Sequence, residues 1–215
     1  VRYGWEGAEH EVDLDLIGDF QADNVGLAAG LALATGLTPE TVFAALPGLQ
    51  GVRGRMELVA RRGNGAAIYV DYAHTPDALG RALAALRPHC QGTLVCAFGA
   101  GGDRDRGKRP LMGRAAAEHA DLVVVTDDNP RGEDPAAIRA EVAEGAPDAQ
   151  VIGGRAGAVL AAVDLLRGPG DCLLIAGKGH EGGQEIRGEV FAFDDGDQAR
   201  ASVAVLDGRE REGAA

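Results

Sequence analysis

The chain has 215 residues, 46% of them apolar and only 4% aromatic, with a formal net charge of −12. Those figures fit a globular protein whose core is mostly Ala, Val and Leu, and they argue against general nucleic-acid or membrane-surface binding. No apolar run nears the roughly 20 residues that cross a bilayer, and the N-terminus has no signal-peptide pattern, so a cytoplasmic location is expected.

Val1 to Trp5 and Glu9 to Ile17 alternate apolar and polar residues and read as a hairpin, marginal by itself, with Trp5 a packing residue. An Ala/Leu-rich helix is expected from about Gln21 to Thr35, stopped by Gly36 as its C′ glycine. Thr38-Pro39, an N-cap followed by proline at the first helical position, starts a second, short helix. These elements offer too little partner surface for a domain and read as the tail of a larger upstream one. Pro47 to Gly54 reads as the linker.

Beyond it the pattern becomes strand and helix in alternation. Strands are expected near Arg55 to Arg61, Ala66 to Tyr72, Thr93 to Phe98, Leu122 to Thr126, Gln150 to Ile152 and Cys172 to Ala176. Helices are expected near Pro76 to Leu86, Lys108 to His119, Pro135 to Glu144, Ala156 to Leu166 and Asp197 to Leu206, with Thr75-Pro76 and Asp134-Pro135 as capped starts. Such alternation implies an α/β fold, a doubly wound, mostly parallel sheet. The polar end, Gly208 to Ala215, is expected to fray. Cys90, Cys96 and Cys172 lie in or beside apolar runs without CxxC spacing and read as buried reduced thiols, with no metal site expected. His10, His89 and His119 read as surface or helix-end residues.

Four loops carry the chemistry-bearing side chains, each after an apolar strand. Asp71-Tyr-Ala-His74-Thr-Pro-Asp77 puts an acid at a strand end beside a helix N-terminus, where it takes ribose hydroxyls or a nucleophile's proton, or else forms a capped βα turn with a satisfied histidine. Phe98 to Pro110 combines glycines with Arg104, Arg106, Lys108 and Arg109, donors for a carboxylate or phosphate. It is neither a Walker A loop, having no Gly-Lys-Ser/Thr, nor a GxGxxG dinucleotide fingerprint. In Thr126-Asp-Asp-Asn-Pro-Arg131, Arg131 suits bidentate carboxylate reading and Asn129 offers a donor and an acceptor on a turn stiffened by Pro130. The alternative there is an ordinary Asn-Pro turn. In Ala176-Gly-Lys-Gly-His-Glu181 the glycines expose carbonyls and Glu181 pairs with an ammonium, or else Lys178 and Glu181 are solvated. Glycine-containing polar loops all at strand ends favour one shared site for a small zwitterion, an amino acid.

With these residues in view, the chain resembles the Mur ligases, and within them the MurE type, which adds the third amino acid to the UDP-MurNAc-dipeptide of peptidoglycan. The matching segments are Gly54-Arg-Met-Glu57, Val70 to Asp77, Phe98 to Pro110, Thr126 to Arg131 and Ala176 to Glu181, in order and at the family's spacing. The resemblance runs from about Gly18 to the final helix. It implies a three-domain, ATP-dependent acid–amino-acid ligase that uses Mg²⁺ and forms an acyl phosphate attacked by the incoming amine. Val1 to Val52 would be the C-terminal part of the P-loop ATPase domain, and residues 53–215 the Rossmann-like, amino-acid-binding domain. The missing upstream domains, diaminopimelate, the UDP-MurNAc-dipeptide and ATP are the implied partners. Residue by residue it implies diaminopimelate contacts from Arg104, Asp128, Asn129, Pro130, Arg131, Gly177 and Glu181, and nucleotide contacts from Asn24, Arg55, Asp71 and His74. Gln21 stands where the family's segment has asparagine, and no residue is assigned as catalytic acid, base or nucleophile. Without a P-loop the chain alone is expected neither to hydrolyse ATP nor to form the amide. A non-catalytic Mur-ligase-like binding module is the alternative. So is a folylpolyglutamate-synthase-like ligase, which would lack the Asp-Asn-Pro-Arg and Gly-Lys-Gly-His-Glu pair.

Overall fold

The computed structural model describes residues 1–213, and side chains as far as Gly208. The chain divides into two compact units, Val1–Val52 and Arg53–Ala215.

In the first unit, β1 (Arg2–Trp5) and β2 (Ala8–Glu11) form an antiparallel pair. They turn at Glu6-Gly7, both at positive φ (48° and 83°), as a two-residue turn that matches strand twist requires. β2 stops well short of the expected Ile17. The last ladder bond runs from Val12 N to Val1 O at 2.9 Å, and Asp13 to Ile17 has no strand opposite. Two helices follow, α1 (Phe20–Ala34) and α2 (Pro39–Ala45). Gly36 takes the left-handed backbone (φ 96°) that ends α1, and the Thr38 hydroxyl accepts from Thr41 N at 3.4 Å to cap α2. Val12, Val25, Ala29, Val42, Phe43 and Leu46 form this unit's core, with Tyr3 and Trp5 packed on it. His10 corrects its surface reading, because it is half-buried and stacks on Phe43 with ring centroids 3.8 Å apart.

The second unit is the α/β layer structure. Its strands are β3 (Glu57–Arg61), β4 (Ala67–Asp71), β5 (Leu94–Ala100), β6 (Leu122–Asp127), β7 (Gln150–Val151) and β8 (Cys172–Ala176). They form one sheet in the order β3-β4-β8-β5-β6-β7. Only β3 is antiparallel to its neighbour; the other pairings are parallel. β4, β5 and β8 are buried along their whole length, as strands covered on both faces must be. The connecting helices are α3 (Pro76–Leu86), α4 (Lys108–His119), α5 (Pro135–Ala143) and α6 (Arg155–Asp164). α3, α4 and α5 pack in succession. α6 packs on the alternate strand residues Ile68, Val70, Val95, Ala97, Leu173 and Ile175 together with the last helix, α7 (Asp195–Gly213). α7 continues to Gly213 where fraying is expected from Gly208; Ala214 and Ala215 lie outside the described residues.

A hairpin with no counterpart among the expected strands sits between β8 and α7. Its strands, β9 (Gly183–Ile186) and β10 (Glu189–Ala192), turn at Arg187-Gly188, again both at positive φ. All three cysteines are free and buried. Burial pushes the Cys96 thiol up, and the Cys172 thiol up to about 12. No helix among the described residues is long and apolar enough to cross a membrane.

Arg155, the first residue of α6, is the largest polar commitment of this core. Its side chain and that of Asp195 are both fully buried and paired through two bonds of 2.7 Å. Removing one partner of such a pair costs far more than removing both, since it strands a buried charge. Asp195→Ala is expected to lower stability by about 3–5 kcal/mol, read as a lower urea midpoint. Arg155→Met with Asp195→Leu should recover part of that loss, short of all of it because the Asp127 and Ala176 carbonyls lose the same guanidinium, and equal losses in the single and double variants would contradict the account.

Candidate functional site

Strands β4, β8, β5 and β6 end in register: Asp71 lies beside Ala176, Ala176 beside Phe98, and Gly99 beside Thr126. Their four loops therefore open on one edge of the sheet. β8 is inserted between β4 and β5, so neighbouring connections leave toward opposite faces there, the position where open α/β sheets hold ligands.

The loop after β6 is fixed from three sides. Gly102 N donates to the Asn129 carbonyl at 2.9 Å, and a Cβ on Gly102 would overlap the Pro130 carbonyl, so this glycine is required for close packing rather than for ligand access. The β9 strand supplies the second side. Arg131 N donates to Glu185 O at 3.0 Å and Arg187 N to Arg131 O at 2.7 Å, while Gln184 Nε2 donates to the Asp128 carbonyl. Arg131 is held at φ 50°, a conformation uncommon for a side chain of its size. Its guanidinium donates through Nε to Glu185 at 3.1 Å and through Nη1 to the Gly102 carbonyl at 2.9 Å. The third side is the loop after β8. Asn129 Nδ2 donates to Glu181 at 3.0 Å, and Lys178 Nζ donates to Asn129 Oδ1 at 2.9 Å. Gly177, at φ 115°, lies under Asp128, where an added Cβ would sit 3.2 Å from Oδ2.

Asp128, Asn129, Pro130, Arg131, Gly177 and Glu181 are thus gathered at one place. Arg104 stands at its rim, exposed; its Cγ and Arg131 Nη1 both lie within 4 Å of where a Cβ on Gly101 would be. It donates only to the Asp103 carbonyl at 3.0 Å. The other cations of its loop are spent. Arg109 is fully buried between Glu133 and Glu141, Arg106 pairs with Glu141, and Lys108 donates to the His74 carbonyl at 2.8 Å. Burial holds the Lys108 ammonium below its usual range.

Around β4, Asp71 helps to form the βα turn, which is one of its two readings. Its carboxylate is buried, and its oxygens accept from Met56 N at 2.8 Å and Ala73 N at 2.7 Å. Burial pushes its pKa up, against the pull of those two bonds. Arg55 and His74 remain exposed beside Tyr72, with the guanidinium 4.7 Å over the ring and the imidazole centroid 4.6 Å from it, and His180 lies 5.4 Å from the same ring. Gly54 takes φ 70° and packs against Gly179 and His180 so closely that a Cβ would overlap the His180 amide. Asn24 belongs to the first unit, exposed on α1 with Gln21 as its partner at 3.4 Å. Among the described residues no group of three or more His, Cys, Asp or Glu side chains has metal-site spacing.

Gln184, Glu185, Tyr72 and His180 are given no role by the reading of the sequence, and Lys178, solvated in one of its readings, is instead fully buried. For Lys178 a signal exists: it lies two residues after five consecutive buried strand residues and between two glycines, which allow the chain to turn it inward.

The family model described as Mur ligase, glutamate ligase domain matches residues 54–179. The chain belongs to the Mur ligase family. It is similar to the UDP-N-acetylmuramoyl-L-alanyl-D-glutamate–2,6-diaminopimelate ligase of Caulobacter vibrioides, 56% identical over 190 residues that make up 88% of this chain and 39% of that protein. The protein of the same name from Bradyrhizobium diazoefficiens is 54% identical over 198 residues, 92% of this chain and 40% of that one. The chain therefore spans about 40% of the length of the curated relatives it matches. Among solved structures, a ligase of that name superposes with a TM-score of 0.70 at 38% identity, covering 94% of this chain and 42% of the other. Mycobacterium tuberculosis folylpolyglutamate synthase with ADP shares the fold, with a TM-score of 0.64 at 22% identity over 79% of this chain and 40% of that one.

The charged cluster that anchors the Mur ligase glycine loop has a measurable signature. Bonds from Arg109, and then from Asp103 N, hold the Glu133 carboxyl down to about 2. A carboxyl depressed in the folded state stabilises fully above its ordinary range near 4.5 and loses that contribution as pH falls toward about 2. The urea midpoint of the parent chain should fall across this window more steeply than that of Glu133→Gln, and parallel curves would contradict the pairing.

Proposed function

We propose that this chain is the amino-acid-binding part of an ATP-dependent ligase of peptidoglycan precursor synthesis, which joins diaminopimelate to UDP-MurNAc-L-Ala-D-Glu through an acyl phosphate. Val1–Val52 is then the end of the P-loop ATPase domain, and Arg53–Ala215 the C-terminal domain. The observation that carries the reading is the gathering of Arg131, Asn129, Asp128, Gly177 and Glu181 at the carboxyl ends of β6 and β8, where both signs of charge meet at one crevice. The names of relatives at 54–56% identity support the same substrate.

The distal end of diaminopimelate carries a carboxylate and an ammonium. Arg131 has Nε and Nη1 committed to Glu185 and Gly102, which leaves Nη2 for the carboxylate, with the exposed Arg104 as a second donor beside it. Glu181 takes the ammonium together with Asp128, whose Oδ1 is buried without a hydrogen-bond partner among the described residues, and with the Gly177 backbone. Anchoring that end leaves the other amine to attack the acyl phosphate, so the contribution of this chain to rate is orientation. Arg55 and His74, exposed around Tyr72, offer a cationic and aromatic surface to the nucleotide, and each Asp71 oxygen accepts one backbone donor beside them. Lysine, lacking the distal carboxylate, would leave Arg131 without its partner, and a site built for such a bond rejects the truncated analogue strongly.

Arg131→Ala in the complete ligase is expected to raise the diaminopimelate KM by about 100-fold, to narrow the preference over lysine, and to leave the UDP-dipeptide KM nearly unchanged. Steady-state kinetics with each substrate varied in turn checks this, and an unchanged diaminopimelate KM would sink the assignment.

A further inference from the structure

Lys178 is the most deeply buried charge of the loop after β8, with a fully buried side chain. Gly177 and Gly179 flank it at φ 115° and 54°, and this pair of left-handed residues turns the lysine inward instead of toward solvent. Its ammonium meets Asn129 Oδ1 at 2.9 Å, Glu181 Oε2 at 3.3 Å and Asp128 Oδ1 at 3.6 Å. Those three side chains are the ones to which the reading above assigns the ligand's ammonium and its surroundings, yet Lys178 itself exposes nothing to a ligand.

Two consequences follow from the chemistry of the groups. The first concerns direction. Asn129 Oδ1 accepts both from Lys178 and from Glu185 N at 3.0 Å, and both are donors only, so the amide is forced to present Nδ2 toward Glu181. The second concerns charge. Asp128 is buried and Glu181 only partly so, and two carboxylates held this close need a counter-ion, or they separate or take up a proton. Arg155 is paired with Asp195 and Lys108 acts on Asp128 from outside contact distance, so Lys178 is the cation in contact with both carboxylates. Among the groups in contact, one cation against two anions leaves a single negative charge, which matches one incoming ammonium.

We propose that Lys178 is a positioning residue for amino-acid specificity: its buried ammonium orients Asn129, brackets Asp128 and Glu181, and leaves that pair of carboxylates one negative charge to be met by the substrate's ammonium. The inference rests on the diaminopimelate reading of this crevice. It assigns Lys178 no contact with the substrate and no proton transfer.

The test is Lys178→Met in the complete ligase, with Lys178→Gln beside it. Glutamine keeps a donor for Asn129 but removes the charge. In a folded variant, confirmed by its circular dichroism and melting curve, the diaminopimelate KM should rise by about 100-fold, within the loss expected when one member of a buried, hydrogen-bonded charge group is removed. The ATP KM and the kcat at saturation should stay within a few-fold, a split that general loosening of the fold would not produce. The Asn129 side-chain amide protons, expected by NMR to be shifted and slowly exchanging in the parent because Nδ2 is bonded to Glu181, should move toward the signals of a free amide in the variants. An unchanged diaminopimelate KM in a folded variant, or failure of both variants to fold, overturns the proposal in favour of a purely structural lysine. A parent enzyme without diaminopimelate-adding activity would instead overturn the functional reading, and this inference with it.

Discussion

Arg155 joins the three parts of the fold that the ligand edge requires to stay in register. It begins α6, and its guanidinium donates to the Asp127 carbonyl at the end of β6, to the Ala176 carbonyl at the end of β8, and twice to Asp195 at the start of α7. The loop bearing Asn129 and Arg131 and the loop bearing Lys178 and Glu181 therefore leave the sheet from carbonyls bound to the same group. In a medium of low dielectric such a node is stiff, because moving any member strands a buried charge or donor. The crevice inherits that stiffness. Its two walls are referred to one guanidinium before any of their own side chains meet.

Other constraints complete the frame. The Asp127 carboxylate takes Arg139 and the Gly154 amide, tying the end of β6 to α5 and to the residue that precedes Arg155. Arg109 draws Glu133 and Glu141 onto the base of the glycine-rich loop and also reaches the Gly101 carbonyl at 3.2 Å. The β9–β10 hairpin holds Arg131 by its backbone. Each of these segments would be called a loop on composition, and each is fastened by charge-assisted bonds to regular elements. Pre-organised loops of this kind hold their side chains in place before the ligand arrives, which lowers the ordering cost of binding.

The sheet was legible in the sequence because its strands are apolar runs followed by capped helix starts, signals that arise from neighbours in the chain. Thr75 and Asp134 do cap their helices, accepting from Ala78 N and Ala136 N. The candidate site was legible only as a set of residue types at strand ends. Whether a charge there is solvated or buried depends on partners far along the chain. Arg109 meets Glu133 and Glu141, 24 and 32 positions away, and Lys178 meets Asn129 at a separation of 49. The partners of Asp71 were hidden for the same reason, since one of them, Met56 N, comes from before the preceding strand. The β9–β10 hairpin escaped because its strands are short and mixed in polarity, β9 mostly half-buried and β10 exposed throughout, so neither alternation nor burial announces them.

The left-handed backbone at Arg131 has an evolutionary consequence. A long side chain at φ 50° carries a conformational cost that glycine does not, and that asparagine carries only weakly. Replacing Arg131 by either would relax the main chain while deleting the guanidinium. Selection for a sturdier fold would then drift away from arginine at this position, and under the proposed diaminopimelate reading it is selection for the substrate's second carboxylate that would hold it there. Residue 131 is therefore a point where a lineage could exchange one amino-acid preference for another with little harm to folding, provided the β9 strand kept its grip on the backbone.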